Sequence, residues 1–308
     1  MKPKERKRSH HFARNVQLFV LASPVLVYLL VFQYLPMGGI VIAFKDYRYD
    51  KGIFGSSWSG FSNFEFFFKS RDAFMVTFNT VAYNSVFIVL GTAVAIVVAM
   101  LMNEVRSKFA IKVYQTTMFF PHFLSWVVVS FITYTFLSPA YGLLNQWVGL
   151  FGVEPANWYF MPSIWPYFIV FVDLWKSMGV AVLINFAVLV GIDRSYYEAA
   201  SIDGASRWQL SWHISLPALI PVTVILFILK VGHIFNADFG LFYQVTKNSP
   251  MLYDKTMVID TYVFRALMEM NEVAMGAAVG LFQALVGFII VIVANTIVRK
   301  IRSDSALF

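Results

Sequence analysis

Glu198-Ala199-Ala200-Ser201-Ile202-Asp203-Gly204, followed after nine residues by Ile214-Ser215-Leu216-Pro217, is a polar stretch between two long apolar runs. Its chemistry is that of a bent helical loop. The chain leaves the first run at Val190-Gly191 and continues Ile192-Asp193-Arg194-Ser195-Tyr196-Tyr197-Glu198. Ser195-x-x-Glu198 has the form of a capping box, in which two side chains satisfy two orphan backbone donors reciprocally. Ala199 and Ala200 favour helix and keep one surface small. Gly204 can end or bend that helix and let another backbone approach closely. A second helical stretch, Ala205–Ile214, is expected before Pro217 opens the next run near its first helical position. Trp208 and Trp212 suit anchors at a membrane surface.

The flanking runs decide the class. Of 308 residues, 59% are hydrophobic and 13% charged, with a mean hydropathy of +0.67. A soluble domain is nearer half apolar and about a quarter charged. The excess lies in runs long enough to cross a hydrocarbon core, which takes ~20 apolar residues. Six spans are expected, at Val16–Tyr34, Val76–Met102, Val113–Leu137, Ile164–Val190, Leu216–Phe235 and Ala274–Val298. Pro24 and Pro36 fall in and after the first, and Pro121 in the third; such breakers are tolerated where neighbours re-satisfy the freed backbone groups. The first apolar stretch follows a basic start but ends in no small-residue cleavage pattern, so it is expected to be a retained span. With no cysteine in the chain, a disulfide framework and a thiolate metal site are excluded.

Positive charge sets the orientation. With the N-terminus inside, the inner segments hold Lys2, Lys4, Arg6, Lys7, Arg8, Arg14, Arg106, Lys108, Lys112, Arg194, Arg207, Arg299, Lys300 and Arg302. The outer segments hold Lys45, Arg48, Lys51, Lys69, Arg71, Lys247, Lys255 and Arg265. Both termini are therefore expected in the cytoplasm, and the pI near 9.4 reflects topology, not a nucleic-acid partner. The outer segments are also aromatic, with Tyr47, Tyr49, Trp58, Phe61, Phe64, Phe66, Phe67 and Phe68 in the first and Trp147, Trp158, Tyr159 and Trp165 in the second. An interfacial belt accounts for them on composition; a docking or sugar-stacking surface is the alternative.

Taken as E-A-A-x3-G-x9-I-x-L-P, the opening stretch fits, without gap or substitution, the cytoplasmic loop of permeases of binding-protein-dependent ABC importers. The chain resembles their oligosaccharide branch, the MalF-like and LplB-like proteins. The likeness includes Phe78-Asn79-Thr80, Pro121, Gly142-Leu143-Leu144-Asn145 and Trp175-Lys176 with Gly179. It also includes Val258-Ile259-Asp260-Thr261-Tyr262-Val263-Phe264 and Gly280-Leu281-Phe282-Gln283, and so covers most of the chain from about residue 15. Two departures stand out. Ile192-Asp193 replaces the Ile-Pro common before the loop helix, and Lys247-Asn248-Ser249-Pro250 replaces a Gly-Gly-Pro, which leaves the substrate open.

The resemblance implies an all-α polytopic membrane protein of MetI-like fold in a bacterial cell membrane. A basic cytoplasmic tail (1–14) would precede a permease domain (15–300), whose ATPase-coupling loop spans 191–217, and a short tail (301–308) would follow. The implied partners are a second, different permease subunit, two ATP-binding subunits and an extracellular solute-binding protein. Glu198, Ala199, Ala200, Asp203, Gly204, Ile214, Leu216 and Pro217 would form the surface that meets the ATPase, Glu198 pairing with a basic group there. The chain has no G-x-x-x-x-G-K-[ST] phosphate loop, so ATP and magnesium belong to the partner and no cofactor to this chain.

For the substrate path, the candidates are Asp173, Lys176, Lys230, Asn236, Asp238 and Tyr243. An ionisable residue at mid-span costs ~2.5–3.5 kcal/mol, so it faces a cavity or finds a partner. Asp173 and Lys176, at i and i+3, can neutralise each other, and Lys176, ~24 Å up a helix from Ile192, can snorkel outward. Lys230 is deeper and is the leading cavity-facing residue. Polar groups among aromatic rings suit carbohydrate. An enzyme is disfavoured, since His10, His11, His122, His213 and His233 show no ligand spacing and no nucleophile–base pair stands out. The rivals within transport are an importer of peptide or phosphate, and a channel or secondary carrier working without an ATPase.

Overall fold

The computed structural model describes residues 4–152 and 154–301. The ends of the two expected tails (1–3 and 302–308), with Arg302, lie outside the described residues, as do the side chains of residues 4–14, Gln17, Phe66 and Arg71. Five helices among the described residues are long and apolar enough to cross a membrane: Leu18–Phe44, Asp72–Asn103, Trp165–Val190, Arg207–Gly232 and Val273–Lys300. A sixth crossing exists if Lys108–Phe123 and Trp126–Leu137 are taken together. The chain divides into two compact units, one of residues up to Phe67 with Ala266–Leu281, the other of Phe68–Arg265 with residues from Phe282 onward.

In the first unit, helix begins at Lys4, so most of the expected basic tail is the start of a helix that runs to Leu29. It continues through a widened turn at Leu30–Tyr34 and a 3-10 segment at Gly38–Phe44, well past the expected end at Tyr34. Pro36 explains the widening. Its ring cannot sit in regular helix against the preceding turn, so the Leu35 N–H reaches back five residues to Leu30. None of the most apolar window of this helix is buried. The outer loop then folds on itself. Phe44 stacks on Trp58 at 5.8 Å, Phe61 and Phe64 close around Phe44, and Lys45 pairs with Trp58 in a two-residue antiparallel ladder. Asn63 donates to the carbonyls of Ala43 and Lys45, and the Lys45 ammonium to that of Ile53.

In the second unit, spans two (Arg71–Asn103) and four (Trp165–Val190) form the spine. Gly91, Ala95 and Ala99 recur every fourth residue on span two, and both alanines are fully buried. Small residues at this spacing let two helices approach closely where no hydrophobic effect drives them together. Ala95, Ala99 and Met102 close one core with Val182, Phe186, Leu189 and Leu219. Spans five and six approach as closely: a Cβ on Gly232 would lie 2.6 Å from Val291, and one on Gly287 would lie 3.3 Å from the Gly232 carbonyl.

The expected continuous third span is broken. Its halves meet at 101° across Leu124-Ser125, after a 3-10 turn at Phe120–Phe123 that carries Pro121 near its start. Leu124 and Ser125 are extended, and the Ser125 hydroxyl caps the second half by accepting from Val128 N. Hydropathy runs unbroken across this point, which is why composition alone predicts one helix.

The second outer loop corrects the aromatic-belt reading for three of its four rings. Trp165 is fully buried, Tyr159 nearly so, and Trp158 is part-buried, all in one core; only Trp147 is exposed. Asn145, itself buried, organises the loop. It donates to the carbonyls of Ser138, Pro139 and Ala156, and accepts from Ala156 N and the Trp158 indole. Gly142 gives it room, since a Cβ there would meet the Ser138 carbonyl at 2.4 Å. The Gly142–Asn145 motif thus marks a packed corner.

Two other motifs bond to each other. Asn79 donates to the Met257 carbonyl, the Thr80 hydroxyl accepts from Ile259 N, and the Tyr83 hydroxyl donates to the Lys255 carbonyl. Span two and the start of helix Ile259–Met268 are thereby locked in register across some 175 residues of sequence.

Candidate functional site

The opening stretch forms a helix–bend–helix. The first helix, Arg194–Ile202, starts two residues earlier than a Ser195 cap would allow: Asp193 is the N-cap, its Oδ1 accepting from Ser195 N at 2.9 Å. Hydrogen bonds from Ser195 hold that carboxyl below the usual carboxylate range. The capping box lies elsewhere, at Ser206–Gln209, where it starts the second helical stretch. An aspartate already at the helix start leaves no orphan donor for the expected Ser195–Glu198 pair. Glu198 is thus free of a capping role and exposed.

The bend explains the A-x3-G spacing. Gly204 N donates to the Ser201 carbonyl and Ala205 N to that of Ala200. Gly204 has φ +84°. This is a Schellman motif, whose left-handed residue is best supplied by glycine. The second stretch, from Arg207, runs without interruption into span five through a widened turn at Ser211–Ser215. The cause matches that at Pro36: Leu216 N reaches Ser211, five residues back, just ahead of Pro217. The helix that carries span five therefore begins at Arg207, not Leu216.

Tyr197 and Ser215 join the two arms through their hydroxyls at 2.9 Å. Glu198, Ala199, Asp203 and Pro217 are exposed, whereas Ala200, Ile214 and Leu216 are part-buried. Ile202, Tyr196, Trp208 and Trp212 stand out beside them, Ile202 at 87% exposure, and the two tryptophans stack at 5.9 Å. Glu198 thus shares an exposed helix with the exposed apolar side chains of Tyr196 and Ile202. Arg207 reaches Glu104 at 3.9 Å, tying the bend to the turn after span two. A cavity of about 870 Å³ lies between them, lined by Glu198, Arg194, Arg106 and Lys108 among others.

A second polar group sits within the bundle. Asp173 is within electrostatic reach of Asp238, Lys230 and Lys176. Its carboxylate accepts from Ser177, so the expected local pairing with Lys176 does not form. Nor does Lys176 snorkel: it is 9% exposed, donates to the His122 carbonyl at 3.0 Å and lies 5.0 Å over the Trp126 ring. Lys230 is exposed on span five, its Nζ facing Gly91 at 3.7 Å from where a Cβ would stand. Tyr243 stacks on Phe239 and packs edgewise on Phe264.

The chain leaves span five unwound at 233–238, where side chains from other elements bond several of its backbone groups. Asn84 donates to the carbonyls of Ile234 and Asn236, Gln283 to that of Phe235, and Ala237 N donates to Asp260. Irregular backbone within a bundle persists only where such partners exist. Burial raises the Asp260 carboxyl above the usual range despite these bonds. Asp238 accepts from the Trp126 indole at 2.8 Å. Asn84, Trp126, Asp260 and Gln283 were not among the expected site residues. Asp260 and Gln283 lay inside quoted motifs, but Asn84 and Trp126 carry no local signal.

An apolar helical bundle with an exposed helix–bend–helix and tied polar breaks in its spans is a membrane-transport subunit. The chain belongs to the family described as binding-protein-dependent transport system inner membrane component, whose model matches residues 88–303. It is 35% identical over 306 residues to the polygalacturonan/rhamnogalacturonan transport system permease protein YteP of Bacillus subtilis, covering 98% of this chain and 94% of that one. Protein LplB of the same organism is 35% identical over 297 residues, covering 94% and 91%. Among solved structures, a bacterial ABC transporter involved in import of the acidic polysaccharide alginate superposes with a TM-score of 0.87 at 29% identity, covering 96% of this chain and 99% of that one.

Proposed function

We propose that this chain is one of two different permease subunits of an ABC importer and forms half of the path for an oligosaccharide handed over by an extracellular binding protein. The exposed Glu198 loop carries this reading. In it Glu198 pairs with a basic group on a separate ATP-binding subunit, which supplies ATP and magnesium. ATPase closure draws the loops together. Because the second loop helix is continuous with span five, that movement passes directly into the bundle. The two bundle states must differ in their ATPase contacts for ATP to bias them.

Both termini and the loop lie in the cytoplasm on this reading. The chain has no cysteine, and Ser201 is exposed. A Ser201→Cys variant in intact cells should resist a membrane-impermeant thiol reagent and react only after permeabilisation. Labelling from outside would place the loop in the wrong compartment.

YteP belongs to a polygalacturonan/rhamnogalacturonan transport system and the solved transporter is involved in import of acidic alginate, and we extend this to a carboxylate-bearing oligosaccharide here. Of the two lysines expected along the path, Lys176 is held by His122 and Trp126, and Lys230 is the one proposed to meet a sugar carboxylate. Lys230→Met should lower uptake of oligogalacturonides about tenfold, the worth of one charge-assisted hydrogen bond, and leave uptake of neutral oligosaccharides within about twofold. Unchanged uptake of both removes Lys230 from the path.

A further inference from the structure

The break in the third span exposes a problem that one side chain solves. The first arm ends through the 3-10 turn at Phe120–Phe123; carbonyls at the end of such an arm lack helical donors, and within a membrane water cannot replace them. The ammonium of Lys176, reaching from span four, meets both arms of the bend. On the first arm it donates to the His122 carbonyl at 3.0 Å; on the second it lies 5.0 Å over the Trp126 ring. Both contacts favour a cation: a charge-assisted hydrogen bond to a carbonyl and a cation–π contact strengthened by desolvation. A methionine would fill the same space at lower insertion cost, but without a donor to hold the two arms together.

The link continues. The same Trp126 indole donates to Asp238 Oδ2 at 2.8 Å, and Asp238 Oδ1 accepts from Leu241 N. Gly240 lets the indole pack close against the chain, since a Cβ there would stand 2.1 Å from the ring. Lys176, Trp126 and Asp238 thus connect span four, the bend of span three and the unwound exit of span five.

We propose that Lys176 is a positioning residue for translocation: by clamping both arms of the broken third span it orients Trp126 on Asp238 and so sets the 236–240 segment along the solute path. This rests on the permease reading above, so the test has one arm that needs no solute. Nitroxides attached at Thr116→Cys and Thr135→Cys, exposed positions on the two arms of the cysteine-free chain, report the bend in the assembled, reconstituted transporter. The distance distribution should be narrow with Lys176, broad in Lys176→Met, and narrow again in Lys176→Arg, whose guanidinium can donate to His122 and stack on Trp126. An unchanged distribution in Lys176→Met overturns the proposal whatever the complex transports.

In the second arm, oligogalacturonide uptake into proteoliposomes should show a maximal rate about tenfold lower in Lys176→Met with the half-saturating concentration unchanged, and recovery in Lys176→Arg. Trp126→Phe keeps a ring but loses the bond to Asp238. Combined with Lys176→Met it should be no worse than Lys176→Met alone; additive losses would show two independent contacts and overturn the link. Should Lys176→Met not assemble, Trp126→Phe alone must still lower the maximal rate, and wild-type uptake by that variant counts against the link. A wild-type complex that shows the expected distances but carries no oligosaccharide would fail the permease reading and leave the clamp standing.

Discussion

Gly204→Asp and Glu198→Lys are each expected to lower solute uptake at least ~30-fold while the chain remains in the membrane, for two separable reasons. Gly204 sits at φ +84° as the left-handed residue of a Schellman turn, and no atom lies within 4 Å of the place a Cβ would take. Its replacement is therefore penalised by backbone conformation, not crowding. An L residue in that region costs about 1–2 kcal/mol, a factor of roughly 5–30 in the population of the bend. Gly204→Ala isolates this part. Aspartate adds a carboxylate beside Asp203 on a surface proposed to meet an ATPase. Glu198→Lys leaves the bend intact, since Glu198 makes no cap, and reverses the charge offered to the partner. Breaking one side of a buried charge pair costs about 2–5 kcal/mol, at least ~30-fold. Copurification with the ATP-binding subunit and uptake in the same membranes check both. If Glu198→Lys retained its ATPase and transported normally, the loop would not be the coupling surface.

This loop also shows how far residues alone reach. Helix, bend and helix were legible in it because each depends on neighbours within six positions: Asp193 on Ser195, Ala200 on Ala205, Ser206 on Gln209. The misplaced cap arose from two polar candidates two residues apart, Asp193 and Ser195, of which the aspartate wins. The spans were equally legible, since an apolar run of sufficient length has no other stable use. What was hidden is non-local. The third span reads as continuous because the groups that stabilise its break come from 54 and 112 residues away, Lys176 for His122 and Asp238 for Trp126. Lys176 was therefore expected to snorkel outward or to pair with Asp173, and does neither. Asn145, quoted for a resemblance, became intelligible only when its five hydrogen bonds were seen to hold one loop.

Gly179→Ala is expected to do more damage than any other glycine-to-alanine change in the bundle apart from those at Gly142 and Gly240. The Cβ would stand 2.2 Å from the Met118 carbonyl oxygen, 2.8 Å from its carbon and 3.0 Å from Phe119 Cα. All three are backbone atoms in the last turn of the first arm of span three, so no rotamer can relieve the clash. Either span four or that arm must move by about an ångström, and overpacking of this kind costs typically ~1–3 kcal/mol. The position is sensitive for a second reason. Lys176, one turn earlier on span four, reaches His122, one turn beyond Met118, so the displaced arm also carries away the acceptor of the buried ammonium. A stranded buried charge adds its own penalty. Gly179→Ala should thus lower the thermal transition of the purified complex by several degrees, at roughly 2–4 °C per kcal/mol, and Gly179→Val should prevent accumulation in the membrane. Gly149→Ala, where nothing lies within 4 Å, is the matched control and should leave the transition in place. Equal transitions for Gly179→Ala and Gly149→Ala would mean that the two helices do not meet backbone to backbone at this crossing.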